Sequence, residues 1–408
     1  MRVIHQPRVR VDVGIRRSET GQPEGAVHAM LGVAAKDGTW LSDRYRDAVV
    51  TPVARSSRGA AIEHLRFVSM HNLAGLPGLD GAGPSLLRDS VALALQVGAQ
   101  SVDLLLLRVP QGTPELVHQP ELLEYFAPVL SGMPGAIVTV PDLLGPHSTL
   151  DVARISSPEL WSRIRSVCRV LGPVWRDSWQ LAMLDAPAAN ATEALASEGA
   201  DASLWEWAGS VSSLARHGWR SAAVAAAARR SRADDAVYLS HVGQPMQLDR
   251  GRRIRRRRQV RAVSSPSSTR VVCNQVLLSK DGNTAQVQSE HTLRAPVGSW
   301  PIPVLRTVQG IHRVIRQAAD GYVFRPVTDL NSVGLSITLN LALQPFVQAG
   351  VLSGLSGSPI PSVSSKAERD PLAPGLSAEI SASVRPWARH IRLRVGIQPG
   401  ETARVELS

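Results

Sequence analysis

Two aspartates are the residues of this chain best suited by type and placement to do chemistry. Asp142 closes the run Gly-Ala-Ile-Val-Thr-Val-Pro-Asp at residues 135–142, and Asp185 lies in Trp-Gln-Leu-Ala-Met-Leu-Asp-Ala-Pro at residues 179–187. Two carboxylates at the C-terminal edge of a parallel sheet could act as general acid and base, because open α/β sheets bind ligands there. The competing reading is structural, since an Asp ahead of a turn caps the amides that follow it. Glycines at residues 72–84 precede a helix and could cradle phosphate on free amides. They have no Gly-Lys-Ser/Thr and no strand running directly into them, so the phosphate-loop conditions fail. His217, His241, His291 and His312 show no metal-ligand spacing. Ser353 and Ser356 sit among glycines without the Gly-x-Ser-x-Gly elbow. Cys168 and Cys273 are the only cysteines; they make neither a zinc motif nor a disulfide framework and read as core thiols. The sequence therefore assigns no catalytic residue, no metal and no cofactor.

Charge offers a second kind of chemistry. Residues 250–261 include Arg252, Arg253, Arg255, Arg256, Arg257 and Arg258, in a chain of formal net charge +11 with only three lysines, Lys36, Lys280 and Lys366. So dense a basic run is a candidate nucleic-acid footprint. No aromatic residue is interleaved to stack on bases, and a Ser/Pro stretch follows at residues 264–268. Arginine also suits bidentate ion pairs between proteins. The expectation is an exposed loop at a protein interface, with nucleic acid as the alternative.

The elements that must position these residues alternate. Apolar runs at residues 101–109, 135–142, 179–187 and 236–242 read as strands, and helical patterns at residues 85–97, 121–130, 158–171 and 221–230 lie among them. Such alternation implies an α/β fold with a mixed, largely parallel sheet and flanking helices. With 408 residues and 44% hydrophobic content, about two or three domains are expected. No apolar run approaches the roughly 20 residues of a spanning helix. Residues 1–7 lack the apolar core of a secretory signal, so no membrane insertion and a cytoplasmic product are expected.

Both ends of the chain carry amphipathic strands. In residues 7–15, Val9, Val11, Val13 and Ile15 alternate with polar positions, and a Gly/Pro-rich tether follows to residue 25. Residues 376–384 and 389–397 read as strands, the latter with Ile391, Leu393 and Val395 on one face; a last strand at residues 402–407 carries Val405 and Leu407. Terminal strands of this kind either edge their own domain or complete a neighbour's sheet. They are expected to be intersubunit β arms. The expected division is a strand arm at 1–25, an α/β core at 26–249, an Arg-rich segment at 250–290, a C-terminal domain at 291–357, and a linker with β arm at 358–408.

One stretch resembles a known family. Residues 293–357 run through Trp300-Pro301-Ile302-Pro303-Val304-Leu305-Arg306 into a helix with Val308, Ile311, His312 and Ile315 on one face. Tyr322-Val323-Phe324-Arg325-Pro326-Val327 follows, then a second helical run from 335 to 349 that stops at Gly350. This order is similar to the C-terminal domain of tail sheath proteins, which enclose contractile phage tails and related injection machines. The Pro141-Asp142 and Leu184-Asp185-Ala186-Pro187 strand ends fit the same pattern. The resemblance implies a structural subunit and not an enzyme. It also implies stacked hexameric rings of copies around an inner tube protein, with baseplate and tail terminator proteins as further partners. An α/β enzyme using Asp142 and Asp185 remains the rival from another class.

Overall fold

The computed structural model describes residues 27–35, 49–52, 61–68, 86–109, 120–141, 157–186, 206–211, 221–232, 245–247, 274–278, 284–287, 290–293, 300–368, 374–385, 389–401 and 403–407. Among these residues, ten strands join in one sheet: β1 (His28–Ala35), β2 (Val49–Pro52), β3 (Ala61–Phe67), β4 (Val102–Val109), β5 (Ile137–Thr139), β6 (Leu181–Asp185), β7 (Glu206–Val211), β8 (Pro245–Gln247), β9 (Asn274–Leu278) and β10 (Thr284–Val287). Their spatial order is β2-β3-β4-β1-β5-β6-β7-β9-β10-β8.

The apolar run Leu104–Leu107 in β4 has no polar alternation, and all four side chains are fully buried. Such strands suit the middle of a parallel sheet covered on both faces. Accordingly β4, β1, β5, β6, β7 and β9 run parallel. The two flanks do not: β2 and β3 add antiparallel on one side, and β10 and β8 on the other. The sheet is mixed, as expected, with a parallel centre and antiparallel margins.

Helices cover this sheet. In α4 (Ser157–Asp177) the buried side chains Leu160, Ile164, Val167, Leu171 and Trp175 recur three and four apart, which puts them on one face. α1 (Leu86–Val97) packs against α5 (Ala222–Arg230), whose alanines let the backbones approach closely. Between them in the chain, α2 (Pro120–Leu123) and α3 (Ala127–Ser131) flank a 3-10 turn and pack on α4.

The C-terminal region builds a second layer. Pro301 precedes α6 (Ile302–Asp320), and Thr328 caps α7 (Asp329–Gln348) by accepting from the Asn331 amide at 3.2 Å. A five-stranded antiparallel sheet follows, made of β11 (Leu352–Ser353), β12 (Ser362–Glu368), β13 (Gly375–Val384), β14 (Arg389–Ile397) and β15 (Arg404–Leu407). Its inner face presents Ile380 opposite Leu393 and Ala378 opposite Val395, and α6 and α7 pack with these strands. Each aliphatic side chain fully buried this way contributes about 1.5–3 kcal/mol. Residues 356–374, whose Ser/Pro content predicts a linker, contain β12, which pairs with β13 along its whole length.

A candidate assembly surface, and the buried charges

Asp185 ends β6 with its side chain 1% exposed. One carboxylate oxygen accepts from the Ser221 hydroxyl at 2.5 Å and the other from the Ala223 amide at 3.0 Å. Ser221 in turn caps α5 by accepting from the Val224 amide at 3.0 Å. Burial pushes the Asp185 carboxyl up to about 6, against the pull of those hydrogen bonds. The group is enclosed and fastens a strand end to a helix start, which is the capping reading. Asp142, its expected companion, lies outside the described residues.

The other buried carboxylates are matched by cations. Glu63 accepts from Arg108 at 2.7 Å, both side chains fully buried. Asp103 takes two hydrogen bonds from Arg66, at 2.7 and 2.8 Å, which hold its carboxyl below the usual range against its burial. Glu290 accepts from Arg230 at 2.6 Å. These pairs join β3 to β4, and α5 to the segment before α6. Among the described residues, no three His, Cys, Asp or Glu side chains are placed to hold a metal ion. Cys168 is a buried free thiol. Cys273, His217, His241, the glycine-rich loop and the Arg252–Arg258 run lie outside the described residues, as do Val9, Val11, Val13 and Ile15.

His312 has a role that spacing did not reveal. Its ring stacks on Trp179 with centroids 3.8 Å apart and planes 17° from parallel. Burial, then the nearby Arg316 and Arg313, pushes its pKa down to about 3, so the ring is neutral. On the same helix, Arg306 donates to the Gly135 carbonyl at 3.2 Å and to the Gln309 side chain at 2.6 Å. Gln309 donates to the Trp179 carbonyl at 2.6 Å. Gly135 and Trp179 both have positive φ, +73° and +54°, in the turns that lead into β5 and β6. Trp179 is no glycine, so its conformation carries a backbone cost, and the stacked histidine and the bonded carbonyl hold it there. This seam joins α6 to the ten-stranded core.

The residues predicted as a C-terminal arm occupy the chain's own sheet. Ile391, Leu393, Val395 and Val405 are buried on its inner face, and Leu407 is partly buried beside them. The outer face is charged: Arg392 reaches Glu379 at 3.0 Å, Lys366 reaches Glu368 at 3.0 Å, and Arg394 stands opposite Glu406. An open groove of about 340 Å³ on this sheet is lined by Leu355, Ser381, His390, Ile391, Arg392 and Arg394. Among the described strands, β12 and β15 have no strand paired on their outer sides.

α7 is apolar on two faces. Leu335, Leu339 and Leu343 are buried against the chain, while Leu330, Val333, Ile337 and Leu341 form a stripe facing outward. Leu330 is 82% exposed and Phe324, in the turn before the helix, 87%. By length and composition α7 passes for a membrane span, yet one side of it packs on α6 and β12. The outward stripe was legible in a feature that period alone misses. From Leu330 to Ser365 the chain has no Asp, Glu, Lys, Arg or His, in a protein that is 19% charged. A solvated helix face ordinarily carries charge; this one does not.

No family model matches the chain, and no curated protein does. Solved structures do. The chain superimposes on the helical sheath of the anti-feeding prophage in its contracted state, with a TM-score of 0.52 and 14% identity, over 85% of this chain and 84% of that one. The fold is that of a contractile sheath protein. Two similar chains come from the baseplate of the same prophage (TM-score 0.49, 14% identity, 88% of both chains) and from the contracted PVC sheath complex of an extracellular contractile injection system (0.48, 12%, 100% and 94%). The superposition on the prophage sheath, over 85% of this chain, is too long to be confined to either layer.

Proposed function

We propose that this chain is the sheath subunit of a contractile, phage-tail-like particle. Copies polymerise into a helical tube of stacked hexameric rings around an inner tube protein, then contract to drive that tube through a target envelope. The observation that carries this reading is the superposition on a sheath chain across most of both proteins. The closed pairing of the buried carboxylates and the uncovered face of α7 support it, since they favour an assembling surface over a reaction centre.

In this reading Val9, Val11, Val13 and Ile15 form an arm that adds a strand to a neighbour's sheet. The unpaired outer sides of β12 and β15 are edges of the kind such arms use. The Arg252–Arg258 run faces acidic surface on an adjacent copy. Baseplate and terminator proteins close the two ends, and assembly takes place in the cytoplasm. The work is mechanical: interfaces with two stable arrangements store and release the energy, and no catalysed step is required. Electron microscopy of the purified chain tests the proposal. Regular hollow tubes are expected; a discrete particle with no helical order at any concentration overturns it.

A further inference from the structure

The outer edge of the C-terminal sheet carries a short charge pattern. Among the described strands, β15 has no partner on its outer side. It turns Val405 and Leu407 toward the core, while Arg404 and Glu406 stand exposed on the opposite face. The strand register extends these charges across the sheet. Glu379, Arg394 and Glu406 lie side by side on β13, β14 and β15 with alternating sign, and Arg404 lies beside Gly396. Opposite charges in facing positions stabilise a strand pair, and like charges destabilise it. A strand added outside β15 therefore fits best with a cation beside Glu406, an anion beside Arg404, and apolar residues beside Val405 and Leu407.

The N-terminal segment has that composition. Residues 8–13 read Arg-Val-Arg-Val-Asp-Val. Laid antiparallel to β15 with Val9 beside Leu407, they bring Arg10 to Glu406, Val11 to Val405 and Asp12 to Arg404, and every position matches. A shift of one residue turns the valines to the outer face. A shift of two sets Arg10 against Arg404 or Asp12 against Glu406. A parallel strand does no better: segment and edge both run from cation to anion, so no parallel register matches both charges.

β12, the edge on the other side, repeats the charge order in Lys366-Ala367-Glu368. There Lys366 and Glu368 already meet each other at 3.0 Å, and Glu368 accepts from the Ser377 hydroxyl at 3.0 Å. The same charge register on β12 would also set Val13 beside Ser365, whose hydroxyl donates to the Ser332 carbonyl at 2.8 Å. β15 offers two apolar partners in place of that serine, so it is the better fit.

Resting on the sheath reading and its N-terminal arm, we infer that Arg404 and Glu406 are specificity-determining residues. They select Asp12 and Arg10 of an adjacent copy and fix that copy's arm on β15 in a single antiparallel register. The contact joins the arm of one copy to the edge of the next, so it is heterologous and propagates. It also discriminates between chains, because an arm with the opposite charge order meets repulsion at both positions.

The test is a charge exchange in the full chain, read as the protein concentration at which half of it sediments as tubes. Asp12→Arg and Arg404→Asp should each raise that concentration by about tenfold, since each sets like charges face to face. Combined in one chain they should return it to within about threefold of the unmodified value, as direct contact between the two sites requires. The Arg404 side chain is 73% exposed, lies beside the uncharged Gly396, and has only a surface bond to Glu401. The melting temperature of the unassembled chain should therefore stay put in all three variants. Arg10→Glu tests the second pair and should act as Asp12→Arg does. Three results overturn the inference while keeping the arm: single variants that assemble like the unmodified chain, a double variant no better than the worse single one, or rescue of Asp12→Arg by Lys366→Asp in place of Arg404→Asp, which would put the arm on β12. Normal tubes from a chain lacking residues 1–15 overturn the arm itself. No tubes from the unmodified chain overturn the sheath reading and this inference with it.

Discussion

Replacing Asp185 by Asn should flatten the pH dependence of this protein's stability without touching its assembly. The carboxyl is buried and its pKa stands near 6, against an ordinary value of 3.8. Between about pH 4 and about pH 6 the folded chain keeps a proton that the unfolded chain has given up. Stability therefore falls as pH rises through this window and is constant above it. At about 1.36 kcal/mol per pH unit the loss is ~3 kcal/mol. Asparagine has no proton to lose, and it keeps an oxygen for the Ala223 amide and a donor for Ser221. Urea unfolding of the unassembled chain, followed by the fluorescence of its nine tryptophans, reads the difference at several pH values. The unmodified chain should lose its ~3 kcal/mol across the window relative to the variant, whose own profile retains only the contributions of other groups. Parallel profiles would refute the burial argument. A variant that assembles normally but lacks a turnover reaction would instead revive the enzyme reading.

Three further outcomes are expected. Deleting residues 1–15 should leave a folded, soluble chain that no longer forms tubes, because the ten-residue tether can span ~33 Å and four buried branched side chains would contribute on the order of 6 kcal/mol before ordering costs; Val11→Asp should act nearly as strongly, and normal tubes from either sink the arm model. Leu393→Asp should behave oppositely: the side chain is fully buried in the chain's own sheet, so an unpaired charge there should unfold the C-terminal layer, lowering the melting temperature, whereas an intact monomer that merely fails to assemble would show Leu393 to be an exchanged arm residue. DNA binding by the Arg252–Arg258 run should be weak, independent of sequence and lost as salt rises; a nanomolar, sequence-selective complex at physiological salt points to a nucleic-acid protein.

Three strands of the parallel centre, β4, β5 and β6, were legible because they carry unbroken apolar runs such as Leu104–Leu107; β7 and β9, which begin with Glu206 and with Asn274 and Gln275, were not, and the run expected as a strand at residues 236–242 lies outside the described residues. The helices were legible from period, as the three- and four-residue spacing of Leu160, Ile164, Val167 and Leu171 shows. The antiparallel margins were not. β8 and β10 are three and four residues long, too short for a period to register. β12 reads as linker because its sequence, Ser-Val-Ser-Ser-Lys-Ala-Glu, offers only Val363 and Ala367 to the core, each partly buried. Main-chain pairing to β13 and packing against α7 hold it, and so weak an apolar alternation does not disclose either. Val405 and Leu407 were read correctly as strand, but whose sheet a strand joins is a question that amphipathicity leaves open. Trp179 was hidden differently: a tryptophan with positive φ has no sequence signature, and only the histidine stacked on it makes the position visible.

The seam around that tryptophan bears on how such a fold endures change. Arg306 reaches across it to the carbonyl of Gly135, Gln309 to the carbonyl of Trp179, and nearby Gln180 to the carbonyls of Leu130 and Met133. Every residue type carries a carbonyl, so the receiving side of each bond tolerates replacement of its own side chain as long as the turn keeps its course. Only the donors and the turn geometry are constrained. A joint of this kind tolerates many side-chain replacements while its two halves stay in register, a property suited to a fold shared at 14% identity over 85% of the chain.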